Sequence, residues 1–171
     1  MTKKIHHDLS KVNKIPQGVP FVQLSYELIN SPAWCSRSIN CIRLINFLML
    51  ENMRHKGLEN GSLIATYDQL VNFGIGRSYI NKAICEAVQL GLIEVKHGIN
   101  KGYANSDCNR FTITFCAEKR LNFQLGSVYY VEASNLWKRI TYDDVKNWKQ
   151  GEKLYKQNSI SNSRKENSHS T

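Results

Sequence analysis

The sequence lacks the apolar runs and the cysteine pairs that mark membrane, secreted and zinc-binding proteins. Its N-terminus has no apolar signal region, and no stretch reaches the roughly 18 apolar residues of a membrane span. The five cysteines form no Cys-x-x-Cys pair, and His6 and His7 lie too far from any cysteine pair to complete a zinc site. We therefore expect a cytoplasmic protein with reduced thiols, no bound metal and no membrane contact.

Motifs that would carry catalysis are also absent. The chain contains no Gly-x-x-x-x-Gly-Lys-Ser/Thr loop and no Gly-x-Ser-x-Gly elbow. Gly74 and Gly76 lack the third glycine and the preceding strand of a dinucleotide-binding site. Asp143 and Asp144 are adjacent at the start of a predicted helix, where side chains diverge by about 100°, so they cannot share one substrate. We expect no enzymatic activity, no cofactor and no small-molecule ligand.

The chain does have an uneven excess of positive charge. The formal net charge is +9, and its distribution is more informative than its total. Residues 1–20 carry four basic and one acidic residue, and residues 149–171 carry five basic and two acidic residues. Residues 21–116 are nearly neutral, with nine basic and seven acidic residues. Two basic ends around such a core suit contact with a polyanion such as nucleic acid, or serve only solubility.

The centre of the chain predicts two helices joined by a tight turn. Thr66 and Gln69 form a Thr-x-x-Gln capping box at the start of the first helix. Gly74 ends that helix where a left-handed residue is usually needed, and Ile75 is the expected inward-facing residue of the turn. A second helix over residues 76–90 has one apolar face at i, i+3, i+4, i+7 spacing. That face consists of Ile80, Ala83, Ile84, Ala87 and Val88.

Strands are predicted around this helical pair. Residues 92–96 and 111–115 alternate as an antiparallel hairpin, and residues 62–65 form a short strand that can pair with it. Upstream, the apolar spacing of residues 38–53 predicts the longest helix, which is the scaffold. The order helix, strand, helix, helix, strand, strand predicts an α+β fold, a winged helix-turn-helix, over residues 21–116.

The remaining segments flank this domain. Residues 1–20 and 158–171 are polar and are expected to be disordered. Residues 117–157 form a C-terminal extension, with one extended piece near residues 127–131 and a helix that Thr141 caps. That helix either docks on the domain or makes a homodimer contact, and we favour docking.

Several short sequence motifs resemble those of a known family in their order and spacing. They are Ser-Pro-Ala-Trp at 31–34, Glu-Asn-Gly-Ser-Leu-Ile-Ala-Thr-Tyr-Asp-Gln-Leu at 59–70, Gly-Ile-Gly-Arg at 74–77, Leu-Gly-Leu-Ile-Glu-Val at 90–95 and Asn-Leu-Trp-Lys-Arg-Ile-Thr at 135–141. Across residues 21–148 the chain is similar to small bacterial winged helix-turn-helix proteins of plasmids, prophages and other mobile elements, which are replication-protein-like. The resemblance implies a DNA-binding domain and leaves open whether the role is in DNA replication or transcription regulation.

In a winged helix the second helix of the turn lies in the major groove, with its N-terminal residues towards the base edges. This nominates five DNA-binding residues: Arg77, Ser78, Tyr79, Asn81 and Lys82. Arginine can pair bidentately with guanine and asparagine with adenine, so Arg77 and Asn81 are the expected base readers. The wing, residues 97–109, adds three cations for phosphates or a minor groove: Lys96, Lys101 and Arg110.

The sequence thus predicts a DNA-binding protein of a bacterial mobile element that reads duplex DNA with helix 76–90 and the wing. Glu86, Glu94 and Asp107 reduce the positive charge there, so we expect a modest, salt-sensitive affinity. The polar face of helix 76–90 is equally explained if it is an ordinary solvent-exposed face that binds nothing. The alternative function is a winged-helix module that docks on a larger protein complex without touching DNA.

Overall fold

Three helices begin the described part of the chain, which in this computed structural model comprises residues 18–98, 108–122, 124 and 126–152. They are α1 (Tyr26–Ile29), α2 (Pro32–Cys35) and α3 (Ile39–Arg54). A serine precedes each helix, and its hydroxyl accepts a hydrogen bond from a backbone amide of the first turn; these are Ser25, Ser31 and Ser38. Such caps satisfy amides that have no partner inside the helix. The predicted start of the longest helix at residue 38 is confirmed.

α3 is the scaffold on which the other elements pack. Its inner side is buried and apolar, and includes Cys41, Leu44, Ile45, Phe47 and Leu48. Complete burial of a leucine, isoleucine or phenylalanine side chain stabilises the fold by about 1.5–3 kcal/mol. This one face therefore supplies a large part of the hydrophobic stabilisation, as the apolar spacing predicts.

Two further helices follow, joined by a tight turn and one 3₁₀ turn: α4 (Tyr67–Asn72), the 3₁₀ turn Arg77–Tyr79 and α5 (Ile80–Gln89). Thr66 and Gln69 exchange both hydrogen bonds of a capping box at the start of α4. Gly74 has a φ of +94°, which glycine adopts without strain. Ile75 is fully buried beside it. The predicted capping box, glycine turn and inward-facing isoleucine are confirmed.

The buried face of α5 differs from the predicted one. Four of the predicted residues are buried: Ile80, Ala83, Ile84 and Ala87. Val88 is 43% exposed, however, whereas Glu86 is only 2% exposed. The buried face is rotated towards Glu86 because the carboxylate of this residue reaches the start of α3. The prediction for Val88 is therefore wrong.

A three-stranded antiparallel sheet packs beside the helices, in the order β1-β3-β2. Its strands are β1 (Leu63–Ile64), β2 (Ile93–Lys96) and β3 (Arg110–Ile113). Phe111 lies opposite both Leu63 and Val95 at the centre of this sheet. The predicted pairing of the short first strand with the hairpin is confirmed. The tip of the predicted wing, residues 99–107, lies outside the described residues.

The third strand ends earlier than the alternation of residues 111–115 predicts. The amide of Cys116 donates a hydrogen bond to the carbonyl oxygen of Ile113 at 3.3 Å. This bond closes a turn at Thr114 and Phe115, so the predicted strand is two residues too long at this end.

A second sheet consists of the hairpin β4 (Glu118–Asn122) and β5 (Ser127–Val131). The sequence predicts the second strand but treats the residues before it as a connection, which is wrong. β4 has only one apolar residue, Leu121, and therefore lacks the alternation of a recognisable strand. It is a strand because its backbone pairs with β5 along its whole length.

Asn60 connects this hairpin to the first sheet. Its side-chain amide is buried and donates to the carbonyl oxygens of Ile113, Cys116 and Ala117 at 2.9, 3.1 and 3.0 Å. Its side-chain oxygen accepts from the Ile113 amide at 2.7 Å. Its backbone carbonyl accepts from the Lys119 amide at 2.7 Å. These bonds fix β4 relative to β3.

The chain then forms the 3₁₀ turn Leu136–Arg139 and a helix, α6, described over residues 142–152. Trp137 is only 4% exposed and belongs to the hydrophobic core. Thr141 caps α6 by accepting from the Asp144 amide at 3.2 Å. The Asp144 carboxylate accepts in return from the Thr141 hydroxyl and amide, and these bonds lower the pKa of Asp144.

α6 docks on the rest of the chain. Val145 is 6% exposed and belongs to the hydrophobic core. The Lys149 ammonium donates to the carbonyl oxygen of Ser36 at 3.1 Å. The docking favoured from sequence is confirmed, and the fold as a whole is α+β.

Candidate nucleic-acid interface

A buried carboxylate holds α5 against the scaffold helix. Glu86 accepts a hydrogen bond from the Ser38 amide at 2.6 Å and another from the Ser38 hydroxyl. A carboxylate at the start of a helix also interacts favourably with the positive end of the helix dipole. Glu86 thus satisfies the first turn of α3 and fixes the orientation of α5. From the sequence, Glu86 is expected to reduce the positive charge of the DNA-binding helix, whereas the structure places it inside the protein.

The opposite side of the α5 start is exposed to solvent. All five residues nominated there are exposed, and they follow one another through the 3₁₀ turn and the first turn of α5: Arg77, Ser78, Tyr79, Asn81 and Lys82. Tyr79 is 56% exposed. The structure therefore brings these five together on one accessible surface, which we call the α5 surface.

Residues of α4 hold two of these side chains. The Tyr67 hydroxyl donates to the Asn81 side-chain oxygen at 3.1 Å. The guanidinium of Arg77 pairs with the carboxylate of Asp68, and both groups are well exposed. An exposed ion pair contributes only about 0–1 kcal/mol, so Arg77 can exchange Asp68 for another acceptor at small cost.

Lys82 lies next to the C-terminal helix. Its ammonium forms an ion pair with the Glu152 carboxylate at 3.1 Å. α6 thus reaches the edge of the α5 surface and partly neutralises it. The sequence places these two residues 70 positions apart, and no local pattern links them.

The two described cations that were nominated for the predicted wing lie at its base. Lys96 and Arg110 are directly opposite each other on β2 and β3, and both are exposed. Lys101, the third nominated wing residue, lies outside the described residues. The structure therefore places a pair of cations where the hairpin leaves the sheet.

Two cations that the sequence pattern does not nominate lie beside this pair. Lys119 and Arg120 on β4 line an open groove of about 440 Å³ together with Lys96, Arg110 and Tyr129. Their signal in the sequence is the adjacent Lys119-Arg120 pair, followed by an aromatic pair at residues 129–130. The signal was missed because β4 was not recognised as a strand.

The groove contains a carboxylate that organises its cations. Glu118 is 7% exposed and accepts from the Arg120 guanidinium at 2.9 and 3.1 Å. These bonds raise the pKa of Arg120. The Lys96 ammonium lies 3.7 Å from the same carboxylate. Glu59 pairs with Lys119 at the groove edge.

Within the described ranges, no group of three or more His, Cys, Asp or Glu side chains is arranged to hold a metal ion. No helix of that part of the chain is both long and apolar enough to cross a membrane. Comparison of the chain with models of protein families, with curated proteins and with solved structures finds no match.

Proposed function

We propose that the protein is a winged helix-turn-helix DNA-binding protein that reads duplex DNA with the α5 surface. The observation that carries the proposal is the two-sided character of this segment: one side of α5 is buried on the scaffold, and the 3₁₀ turn and the first turn of α5 present five exposed polar residues on the other side. In helix-turn-helix proteins the start of this helix enters the major groove. The order α3, β1, α4, α5, β2 and β3 is that of a winged helix.

Arg77 and Asn81 are the proposed base readers. Arginine donates two hydrogen bonds to guanine, and asparagine pairs with adenine through its amide. The Tyr67 hydroxyl occupies one acceptor position of the Asn81 oxygen, which orients the amide and leaves its nitrogen available. Lys96, Lys101 and Arg110 of the wing are the proposed phosphate contacts.

The proposed biological setting is a bacterial mobile element such as a plasmid or prophage, with a role in DNA replication or in transcription regulation. This part of the proposal is supported by the sequence resemblance across residues 21–148. Duplex DNA is the partner in either role.

The test combines site selection with substitution. Duplexes enriched from a random library by the full chain supply a preferred site, whose binding is then measured by fluorescence anisotropy. Each bidentate base contact provides about 1–3 kcal/mol of discrimination. The Arg77→Gln/Asn81→Ala variant should therefore bind the preferred site at least about 30-fold more weakly. Binding like that of the parent would mean that α5 is not the reader.

A matched control removes the same groups elsewhere. Arg139 and Asn147 are exposed, lie outside the α5 surface and make no side-chain hydrogen bond or ion pair with the described residues. The Arg139→Gln/Asn147→Ala variant should bind the preferred site like the parent. If the parent itself enriches no duplex and binds none, the proposed function is wrong.

The second candidate function is docking on a larger protein complex without DNA contact. The observation that favours it is the exposure of apolar side chains on the β4–β5 hairpin: Leu121 is 52% and Val128 47% exposed. These two residues lie opposite each other in the hairpin register. Under this function, the Arg77→Gln/Asn81→Ala variant keeps full activity in a cell-based assay of the element, while Leu121→Ser/Val128→Ser loses it.

A further inference from the structure

We infer that the groove between the wing base and the β4–β5 hairpin is a second DNA contact, which binds the phosphate backbone without reading sequence. This inference rests on the proposed function and assigns DNA contacts to a hairpin outside the winged-helix order. The groove residues that carry it are Lys96, Arg110, Lys119, Arg120 and Tyr129.

Among the residues that the structure describes, Arg110 is the groove cation without an ion-pair partner. Lys119 is paired with Glu59, and Arg120 is paired with Glu118. Arg110 is exposed and makes no side-chain hydrogen bond or ion pair with any residue that the structure describes. A cation in this state can neutralise a phosphate without first breaking an internal contact.

Glu118 prepares Arg120 for the same task. The carboxylate occupies the Nε and one Nη of the guanidinium, which leaves the other terminal nitrogen to donate outwards. Because the Glu118 side chain is only 9% exposed while that of Arg120 is 52% exposed, the pair presents its positive part to solvent. A guanidinium held on one edge loses less conformational freedom when its other edge binds a phosphate.

Tyr129 adds a neutral donor on the other strand of the hairpin. It lies directly opposite Arg120 in the register and is 45% exposed. Arginine, lysine and tyrosine side chains are all common donors to phosphate oxygens in protein–DNA complexes. The groove therefore collects donors of the type that positions a protein on the DNA backbone.

Acidic side chains limit how tightly the groove can bind. Glu94 is exposed on β2, and its charge contributes to the raised pKa of Arg120. With Glu59 and Glu118 also present, the four cations face three carboxylates. The groove therefore contributes a few phosphate contacts to a larger interface and is not a high-affinity anion site by itself.

The experiment measures the salt dependence of duplex binding by the full chain. Arg110→Gln and Arg120→Gln are compared with the parent on the preferred duplex and on a scrambled duplex, at a series of salt concentrations. Loss of one phosphate contact lowers the slope of log affinity against log salt by about 0.9. Each variant should show this smaller slope on both duplexes, with the preference between the duplexes unchanged.

Arg139→Gln is the control variant. It removes the same charge outside the groove and should keep the parental slope. If the parent binds duplex but Arg110→Gln and Arg120→Gln also keep its slope, the groove inference is wrong and Arg110 is not a phosphate contact, while base reading by the α5 surface still stands. A changed preference between the two duplexes would show base reading and would also overturn the inference.

Two further results complete the test. If the parent binds neither duplex, the proposed function and the groove inference fail together. If Arg120→Gln lowers the melting temperature because Glu118 loses its partner, Lys119→Gln decides in its place, since Lys119 lies on the same strand and pairs with Glu59 instead.

Discussion

Gly91 and Trp137 meet backbone to backbone. A Cβ atom at Gly91 would lie 2.9 Å from the amide nitrogen of Trp137 and 2.8 Å from the carbonyl carbon of Leu136. Gly91 also has a φ of +63°, a conformation that costs other residues about 1–2 kcal/mol. The turn after α5 therefore rests directly on the 3₁₀ turn that buries Trp137, and only glycine fits at this contact.

Gly91→Ala should lower the free energy of unfolding by about 2–4 kcal/mol, because strain and overpacking add. Urea unfolding monitored by circular dichroism measures this change. Gly151→Ala is the matched control, since nothing lies within 4 Å of a Cβ there and alanine favours a helix. The control should be neutral or slightly more stable, and an equal loss in both variants would contradict the backbone contact.

Glu86→Ala should destabilise the protein by about 1–3 kcal/mol, because the Ser38 amide loses its acceptor. The measurement is again urea unfolding, with the exposed Glu132→Ala as the control, expected to stay within about 0.5 kcal/mol of the parent. Glu86→Gln keeps one acceptor oxygen and should fall between them. A Glu86→Ala variant as stable as the parent would show that the Glu86 carboxylate does not hold α5 in place.

Asn60→Asp should be more damaging than the same change at the exposed Asn147. Three carbonyl oxygens surround the Asn60 amide nitrogen, so a carboxylate oxygen in its place repels them and loses three hydrogen bonds. We expect a loss of at least about 3 kcal/mol in unfolding free energy. Thermal and urea unfolding of both variants check this, and similar stabilities would count against the role of Asn60 as a connector.

The cysteines should divide into two classes when the folded protein is alkylated at pH 8. Burial raises the pKa of Cys41 to about 12, with the Glu86 carboxylate adding to the effect, and raises that of Cys116 to about 11. The thiolate is the reactive form, so these two should remain unmodified. The exposed thiols are expected to react first; they are Cys35, Cys85 and Cys108.

Mass spectrometry after a short iodoacetamide treatment identifies the modified cysteines. The same treatment in concentrated urea should modify all five. Rapid modification of Cys41 in the folded protein would show that the start of α3 opens readily.

Glu152→Gln should strengthen duplex binding, because the carboxylate no longer neutralises Lys82 across their 3.1 Å ion pair. The increase should be largest at low salt, where screening is weakest. Fluorescence anisotropy measures it, and Glu132→Gln controls for the loss of one negative charge. Equal gains in duplex affinity for both variants would indicate an effect of net charge alone. They would mean that Lys82 does not contact the DNA.

The helix ends that the sequence predicted are set by neighbours within four residues. The Thr66–Gln69 capping box and the glycine at residue 74 both act locally. The burial of Glu86 could not be predicted in this way, because its partner Ser38 lies 48 residues away. β4 was missed for a similar reason, since its position depends on Asn60 and its strand identity on β5.

The candidate site also has one part that could be predicted from local sequence and one part that could not. Five of the nominated residues lie within residues 77–82, so their closeness in the sequence was enough to place them together. The groove cations come from three strands, and Lys96 and Arg120 meet only through Glu118. No spacing rule brings such residues together before the register of both sheets is known.

The bonds of Asn60 also have a consequence for the order in which the chain folds. Its side-chain partners lie 53–57 residues further along the chain, so they can form only after a long loop has closed. The capped helices need no such closure and can form at an earlier stage. Substitution of Asn60 should therefore mainly increase the unfolding rate of the protein, because the hydrogen bonds of Asn60 form late in folding.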